Sequence, residues 1–154
     1  MNAKYVHTNL VSRDWRALAR FYQEVFGCHW LAPERNLIGP ALDAGTGIPG
    51  AKISGVHLRL PGWGDAGPTL EIFEYTEVGK DSLRAVNRPG FAHIAFAVDS
   101  VSRARAEVLE HGGSTVGDVV AMLIPSAGHV TWCYVRDPEG NVIELQSWAT
   151  NSAA

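Results

Sequence analysis

The chain has 154 residues, of which 46% are hydrophobic and 19% charged, and a formal net charge of -3 at pH 7. That length suits one compact domain or two fused half-size units sharing a core, and the composition is that of a globular chain rather than a disordered one. The acidic balance argues against nucleic acid as a partner, and no apolar run approaches the roughly 18–20 residues that cross a bilayer. Cys28 and Cys133 are too few for a disulfide framework. The opening MNAKYVHTNL lacks a basic segment followed by an apolar stretch, so no signal peptide and a cytoplasmic location are expected.

In chain order, a short apolar stretch beginning at His7 leads into a helical stripe of Trp15, Leu18, Ala19, Tyr22, Val25 and Phe26, stopped at Gly27. Strands are expected near Cys28–Leu31, Ala51–Leu60 and Thr69–Tyr75. Between them Pro33, Gly39, Pro40, Gly45, Gly47, Pro49 and Gly50 signal a long irregular loop over residues 33–50. A polar linker over residues 77–90 follows. The run His93–Ser100 then reads as a strand, and Val101, Ala104, Val108 and Leu109 form a second helical stripe ending at Gly112-Gly113. Strands are expected again at Ser114–Ile124, His129–Val135 and Val142–Trp148, with Asp137-Pro138-Glu139-Gly140 as a hairpin turn and residues 150–154 as a tail.

Laid over one another, the two halves repeat. A glycine stands 20 positions after His7 and again 20 after His93, and an aspartate or serine opens each helix. Gly67-Pro68-Thr69-Leu70-Glu71 matches Gly140-Asn141-Val142-Ile143-Glu144. His7 and Glu71 are 64 positions apart and His93 and Glu144 are 51 apart, the excess falling in residues 33–50. The expected organisation is therefore α+β: two tandem βαβββ modules, 1–76 and 91–149, within one structural domain.

Strand alternation tests which polar side chains share a surface. Ile94, Phe96 and Val98 suit a core face, opposite His93 and the small Ala95 and Ala97. Ile143 and Leu145 oppose Glu144, Gln146 and Trp148. In the first half Thr8 and Leu10 oppose His7 and Asn9, and Leu70 and Ile72 oppose Glu71, Phe73 and Tyr75. Each half thus offers one histidine and one glutamate on the side away from its helix. Two such sheets curled toward each other bring His7, Glu71, His93 and Glu144 to one centre. Two imidazoles and two carboxylates suit one divalent ion, with Zn, Ni, Co, Mn and Fe(II) all chemically admissible. A single strand histidine is more often a satisfied core or surface residue; recurrence in both halves is what singles these four out.

Further residues have two readings each. His57 and Arg59 either line a pocket and meet an anionic substrate or lie on an exposed strand face. His129, sharing a face with Thr131 and Cys133, is a candidate of the same kind. Asn9 either bonds a substrate oxygen or holds a ligand in place. Phe73 and Trp148 form an apolar wall or fill the fold, and His29 and His111 follow helix ends, where capping or solvated roles are commoner.

The sequence resembles the vicinal oxygen chelate superfamily, the group of glyoxalases, bleomycin-resistance proteins and extradiol dioxygenases. The resemblance rests on His7 with the helix ending Phe21-Tyr22-Gln23-Glu24-Val25-Phe26-Gly27, on Gly90-Phe91-Ala92-His93-Ile94-Ala95-Phe96, and on Asp137-Pro138-Glu139-Gly140-Asn141-Val142-Ile143-Glu144-Leu145. It implies paired βαβββ modules forming a cupped half-barrel sheet around a metal site, frequently in a homodimer. A full His, Glu, His, Glu set resembles glyoxalase I and the metal-dependent epimerases rather than dioxygenases with two histidines and one carboxylate. The implied activity is that of an isomerase, epimerase or lyase: a small substrate with vicinal oxygens chelates the metal, and an enediolate forms by proton transfer, with Glu144 or Glu71 as base. The alternatives are an Fe(II) extradiol-type dioxygenase and a non-catalytic protein that binds a drug or metabolite. Two departures bear on substrate. Val11 stands where glyoxalase I is expected to carry a glutathione-binding arginine, and Tyr75 where it is expected to carry asparagine.

Overall fold

The computed structural model describes residues 1–79 and 85–149. The chain forms two compact units, Met1–Asp81 and Ser82–Ala154. Part of the expected linker and the whole of the expected tail lie outside the described residues. No described helix is long and apolar enough to cross a membrane.

The first unit runs β1 (His7–Val11), α1 (Trp15–Phe26), β2 (His29–Ile38), α2 (Pro40–Thr46), β3 (Lys52–Arg59) and β4 (Thr69–Tyr75), with sheet order β1-β4-β3-β2. β1 lies parallel to β4, and the other pairs are antiparallel. α1 begins where the Asp14 side chain accepts from the Ala17 N–H and ends at Gly27, whose left-handed φ of 66° any other residue would adopt at a cost. It buries Trp15, Leu18, Ala19, Phe21 and Tyr22, against a sheet face of Val56, Leu58, Leu70 and Ile72 that is equally shut from water.

The second unit repeats the plan as β5 (Ile94–Ala97), α3 (Val101–Glu110), β6 (Ser114–Thr115), β7 (Val120–Ile124), β8 (Gly128–Arg136) and β9 (Val142–Trp148). β5 lies parallel to β9, β9 pairs β8, and β6 and β7 pair successive stretches of β8. The two short strands therefore share the position that β2 holds in the first unit. The Ser100 side chain accepts from the Arg103 N–H to open α3. Its buried face is Val101 and Val108, over Val135, Ile143 and Leu145.

Three expectations change. Residues 33–50 are not an irregular loop: β2 continues to Ile38 and α2 follows. Pro33 has no N–H for the ladder, and the pairing slips between Leu31 and Arg35 before resuming, a bulge around the cis Ala32–Pro33 bond. Arg16 of α1 clamps that bulge through two bonds to Glu34, 2.8 and 2.6 Å. The expected strand Ser114–Ile124 is split around Gly117-Asp118. Leu109 is 42% exposed, so the helical stripe stops at Val108. The turn before β9 forms as read: the Asp137 carboxylate accepts from the Glu139 and Asn141 N–H groups, and Gly140 takes a φ of 85°.

Candidate metal centre

In the first unit Glu71 sits on the inner strand β4, in register with Asn9 of β1 on one side and His57 of β3 on the other. Alternation sends Leu70 and Ile72 to the helix side and Glu71 to the opposite face. There the carboxylate meets three side-chain nitrogens. His7 Nε2 lies 3.3 Å from Oε2, Asn9 Nδ2 donates to the same oxygen at 3.3 Å, and His57 Nε2 lies 2.9 Å from Oε1. The other His57 nitrogen, Nδ1, is 3.2 Å from the Thr69 hydroxyl. Burial lowers the His57 pKa below the ordinary imidazole value; the Glu71 charge opposes that, and Arg35 and His7 add to it.

Phe73 closes the inner end of this face, its ring 6.0 Å from the His57 ring and edge-on to it. Gly55 is what lets it lie there. A Cβ at Gly55 would fall 2.5 Å from Phe73 Cδ1 and 2.1 Å from the Ile72 carbonyl oxygen. Arg59, two residues beyond His57, pairs with Asp65 in the β3–β4 turn, while its Nε is shut from solvent without a partner. Val11 and Tyr75, the two departures from glyoxalase I, stand at the ends of β1 and β4.

The second unit offers the same pair in a plainer setting. His93 precedes β5, and its Nε2 lies 3.0 Å from Glu144 Oε2 on β9. Glu144 is in register with Ala95 and with Tyr134. The Tyr134 ring packs 5.1 Å from that of His93, and Trp132 packs against Tyr134 at the same distance. Burial first, then the Glu144 charge, raises the Tyr134 pKa.

Neither Tyr134 nor Trp132 was singled out by sequence reasoning, which weighed His129 on this strand. Cys133 and Val135 are fully buried beside Leu145 and Ile143, so the face of Trp132 and Tyr134 is the one that carries Glu144. His129 is exposed and pairs with Leu123, away from the His93–Glu144 pair. Trp148 is 43% exposed at the end of β9, its indole N–H bonded to Gln146 at 2.7 Å. His29 is exposed, and His111 caps α3 with Nδ1 2.8 Å from the Glu107 carbonyl oxygen. The pairing of His57 with Glu71 was legible in principle, as two polar residues on the same side of neighbouring strands.

Among the described residues no three His, Cys, Asp or Glu side chains form a cluster arranged to hold an ion. What each unit presents is a pair, and the pair fits a metal edge. Two ligands at about 2.1 Å from an ion and at right angles to one another stand about 3 Å apart. The imidazole-to-carboxylate separations are 3.3 and 3.0 Å.

Two open sheets of like strand order, each with a helix on one face and a His–Glu pair on the other, define an α+β protein of repeated modules. Residues 4–145 match the model of the Glyoxalase/Bleomycin resistance protein/Dioxygenase superfamily, and the chain belongs to that superfamily. No curated protein matches the sequence. Among solved structures, a glyoxalase family protein from Bacillus cereus is 17% identical with a TM-score of 0.79, the match covering 97% of each chain. The trypanothione-dependent glyoxalase I of Leishmania major is 22% identical, TM-score 0.62, over 95% of this chain and 87% of that one. A genomically encoded fosfomycin resistance protein from Listeria monocytogenes, solved with Mn(II) and sulfate, is 18% identical, TM-score 0.54, over 97% and 95%.

Proposed function

We propose that the chain is a metal-dependent isomerase, epimerase or lyase of glyoxalase type, transferring a proton on a small substrate with vicinal oxygens, with His7, Glu71, His93 and Glu144 as ligands of one divalent ion. The observation that carries this reading is that the repeated histidine and glutamate of each unit, His7 with Glu71 and His93 with Glu144, bring an imidazole Nε2 and a carboxylate oxygen to about the spacing of adjacent metal ligands. A divalent ion in such an N/O set supplies Lewis acidity toward the oxygens of a substrate and so acidifies the neighbouring C–H.

The two carboxylates divide the remaining work. Glu71 is bonded on both oxygens, by His57 on one and by Asn9 on the other, and is held as a fixed ligand. Glu144 meets a single imidazole, and among the described residues neither of its partners in register, Ala95 and Tyr134, is hydrogen-bonded to its carboxylate. Glu144 therefore takes the proton from the substrate carbon and returns it. Arg59, on the same side of β3 as His57 and paired with Asp65, is the cation we assign to an anionic group of the substrate, and Phe73 gives the face an apolar wall. Val11 and Tyr75 lack the charge and the amide that would hold glutathione, which points to another acyl carrier or none. The Mn(II) of the fosfomycin resistance neighbour is one of the ions this donor set admits. The reading includes a homodimer in the cytoplasm.

Elemental analysis of chain purified without added metal is the direct test. One ion per chain is expected, lost in His7→Ala and Glu144→Ala. Metal-free protein even after reconstitution at neutral pH overturns the reading. Incorporation of solvent deuterium into 2-hydroxy or 2-oxo acyl compounds then tests the proton transfer; oxygen consumption with Fe(II) instead makes the chain a dioxygenase.

A further inference from the structure

We infer, on the ligand assignment just made, that His57 is a positioning residue that fixes Glu71 as a one-oxygen ligand. Three contacts hold its ring. Nε2 donates to Glu71 Oε1 at 2.9 Å, Nδ1 meets the Thr69 hydroxyl at 3.2 Å, and the ring stands edge-on to Phe73, which itself lies over Gly55. With Nε2 as donor, a neutral imidazole has Nδ1 as acceptor, and the Thr69 hydroxyl, two residues before Glu71 on the same strand, supplies that hydrogen. Thr69, His57 and Glu71 thus form a closed chain of donors across β3 and β4, in register at Arg59–Thr69 and His57–Glu71.

The consequence is directional. Oε1 is engaged by His57, and Oε2 is the oxygen that His7 and Asn9 approach, so the carboxylate presents Oε2 alone to an ion beside His7. His57 itself is not the ligand in this arrangement. It approaches the far oxygen from His7, and the two imidazole rings are 6.0 Å apart and perpendicular. In the second unit the residue opposite Glu144 is Tyr134, whose ring packs on His93, and among the described residues Glu144 has no counterpart of this tether. The repeat keeps its ligands and differs in what supports them.

Titrating the metal-free full chain with Co(II), followed by visible absorption, reads this out without turnover. His57→Phe is expected to weaken Co(II) binding about 10- to 100-fold, the usual loss when a group that orients a metal ligand is removed. His57→Gln, whose amide N–H can still donate to Oε1, is expected to stay within a few-fold of the unmodified chain. Thr69→Val is expected to fall between them, and His7→Gln to lose binding. Melting curves of each variant show which are folded, and if His57→Phe is not, His57→Gln and Thr69→Val decide. The inference is overturned if His57→Phe binds as tightly as the unmodified chain, or if His57→Gln loses binding as completely as His7→Gln, which would make His57 a ligand. An unmodified chain that takes up no Co(II) overturns the ligand assignment itself.

Discussion

The two units of this chain share a strand order and a His–Glu pair but surround the pair differently. Glu71 stands between Asn9 and His57, both hydrogen-bond donors, whereas Glu144 stands between Ala95 and Tyr134. The helices differ in the same sense. α1 buries five side chains, three of them aromatic, and α3 buries two valines. A duplicated fold thus keeps identical chemistry at two points while one copy is built to hold and the other is less restrained. On the proposed reading, the division of labour between the two carboxylates follows from their neighbours on adjacent strands rather than from any difference between the carboxylates.

The sharpest way to break that comparison is to exchange each glutamate for its amide. Glu144→Gln keeps an oxygen donor and removes the base, so turnover is expected to fall by roughly 10²–10⁴-fold with metal largely retained. Glu71→Gln is expected to show the reverse emphasis, with metal content falling first. Metal analysis beside single-turnover rates separates the two. If Glu71→Gln keeps its metal and loses turnover while Glu144→Gln loses its metal, the roles are exchanged.

The packing difference is tested by truncation. Leu18 and Val108 are both essentially without exposure, and they occupy equivalent faces of α1 and α3. Leu18→Ala removes more buried hydrocarbon from the denser helix, and a loss of about 2–5 kcal/mol in urea unfolding is expected. Val108→Ala is expected to cost about 2 kcal/mol. Equal losses would remove the distinction between the two helix faces.

Gly55 probes the packing behind His57. Its added methyl in Gly55→Ala meets the Ile72 carbonyl oxygen and the Phe73 ring, and neither backbone nor a wedged aromatic yields easily. About 1–3 kcal/mol of destabilisation is expected. Because Phe73 is the edge-on neighbour of His57, metal affinity is expected to drop along with stability. The residue at the matching place in the second unit, two before Tyr134, is Trp132, so no equivalent glycine supports Glu144.

Much of this was legible in the sequence, and for physical reasons. A histidine and glutamate recur at matched distances from glycines, of which Gly27 and Gly140 take left-handed backbone and their counterparts Gly113 and Gly67 do not, and strand alternation then orients every residue of β4 and β9. β2 was not legible past Leu31, because Pro33 reads locally as a break, whereas the sheet accommodates it as a bulge that Arg16 and Glu34 secure. β8 resisted for a different reason. One face mixes His129 and Thr131 with Cys133 and Val135 and the other is apolar and aromatic, so alternation points the wrong way until Cys133 and Val135 are seen in the core. The support of Glu71 by His57 depends on register between strands, which no single stretch of sequence specifies. Both ladders are irregular beside the residue that faces a glutamate: β2 slips between its pairings with His57 and Gly55 of β3, and the β6–β7 break flanks Tyr134. Such interruptions let a side chain be re-aimed without altering the strand that carries the ligand.

The smallest expected effect concerns the helix entries. Asp14 accepts from the Ala17 N–H at 2.9 Å, and Ser100 from the Arg103 N–H at 3.4 Å, at the long edge of a hydrogen bond. The carboxylate also places negative charge at the positive end of α1, which a serine hydroxyl does not do for α3. Asp14→Ala is therefore expected to cost about 1 kcal/mol in urea unfolding, and Ser100→Ala about half of that. The Asp14 loss is also expected to shrink with added salt and the Ser100 loss to stay constant, since only the first contains a charge term. A larger loss at Ser100 than at Asp14 would show that the second unit depends on its helix entry more than its buried face suggests, and would reverse the order of restraint between the two copies.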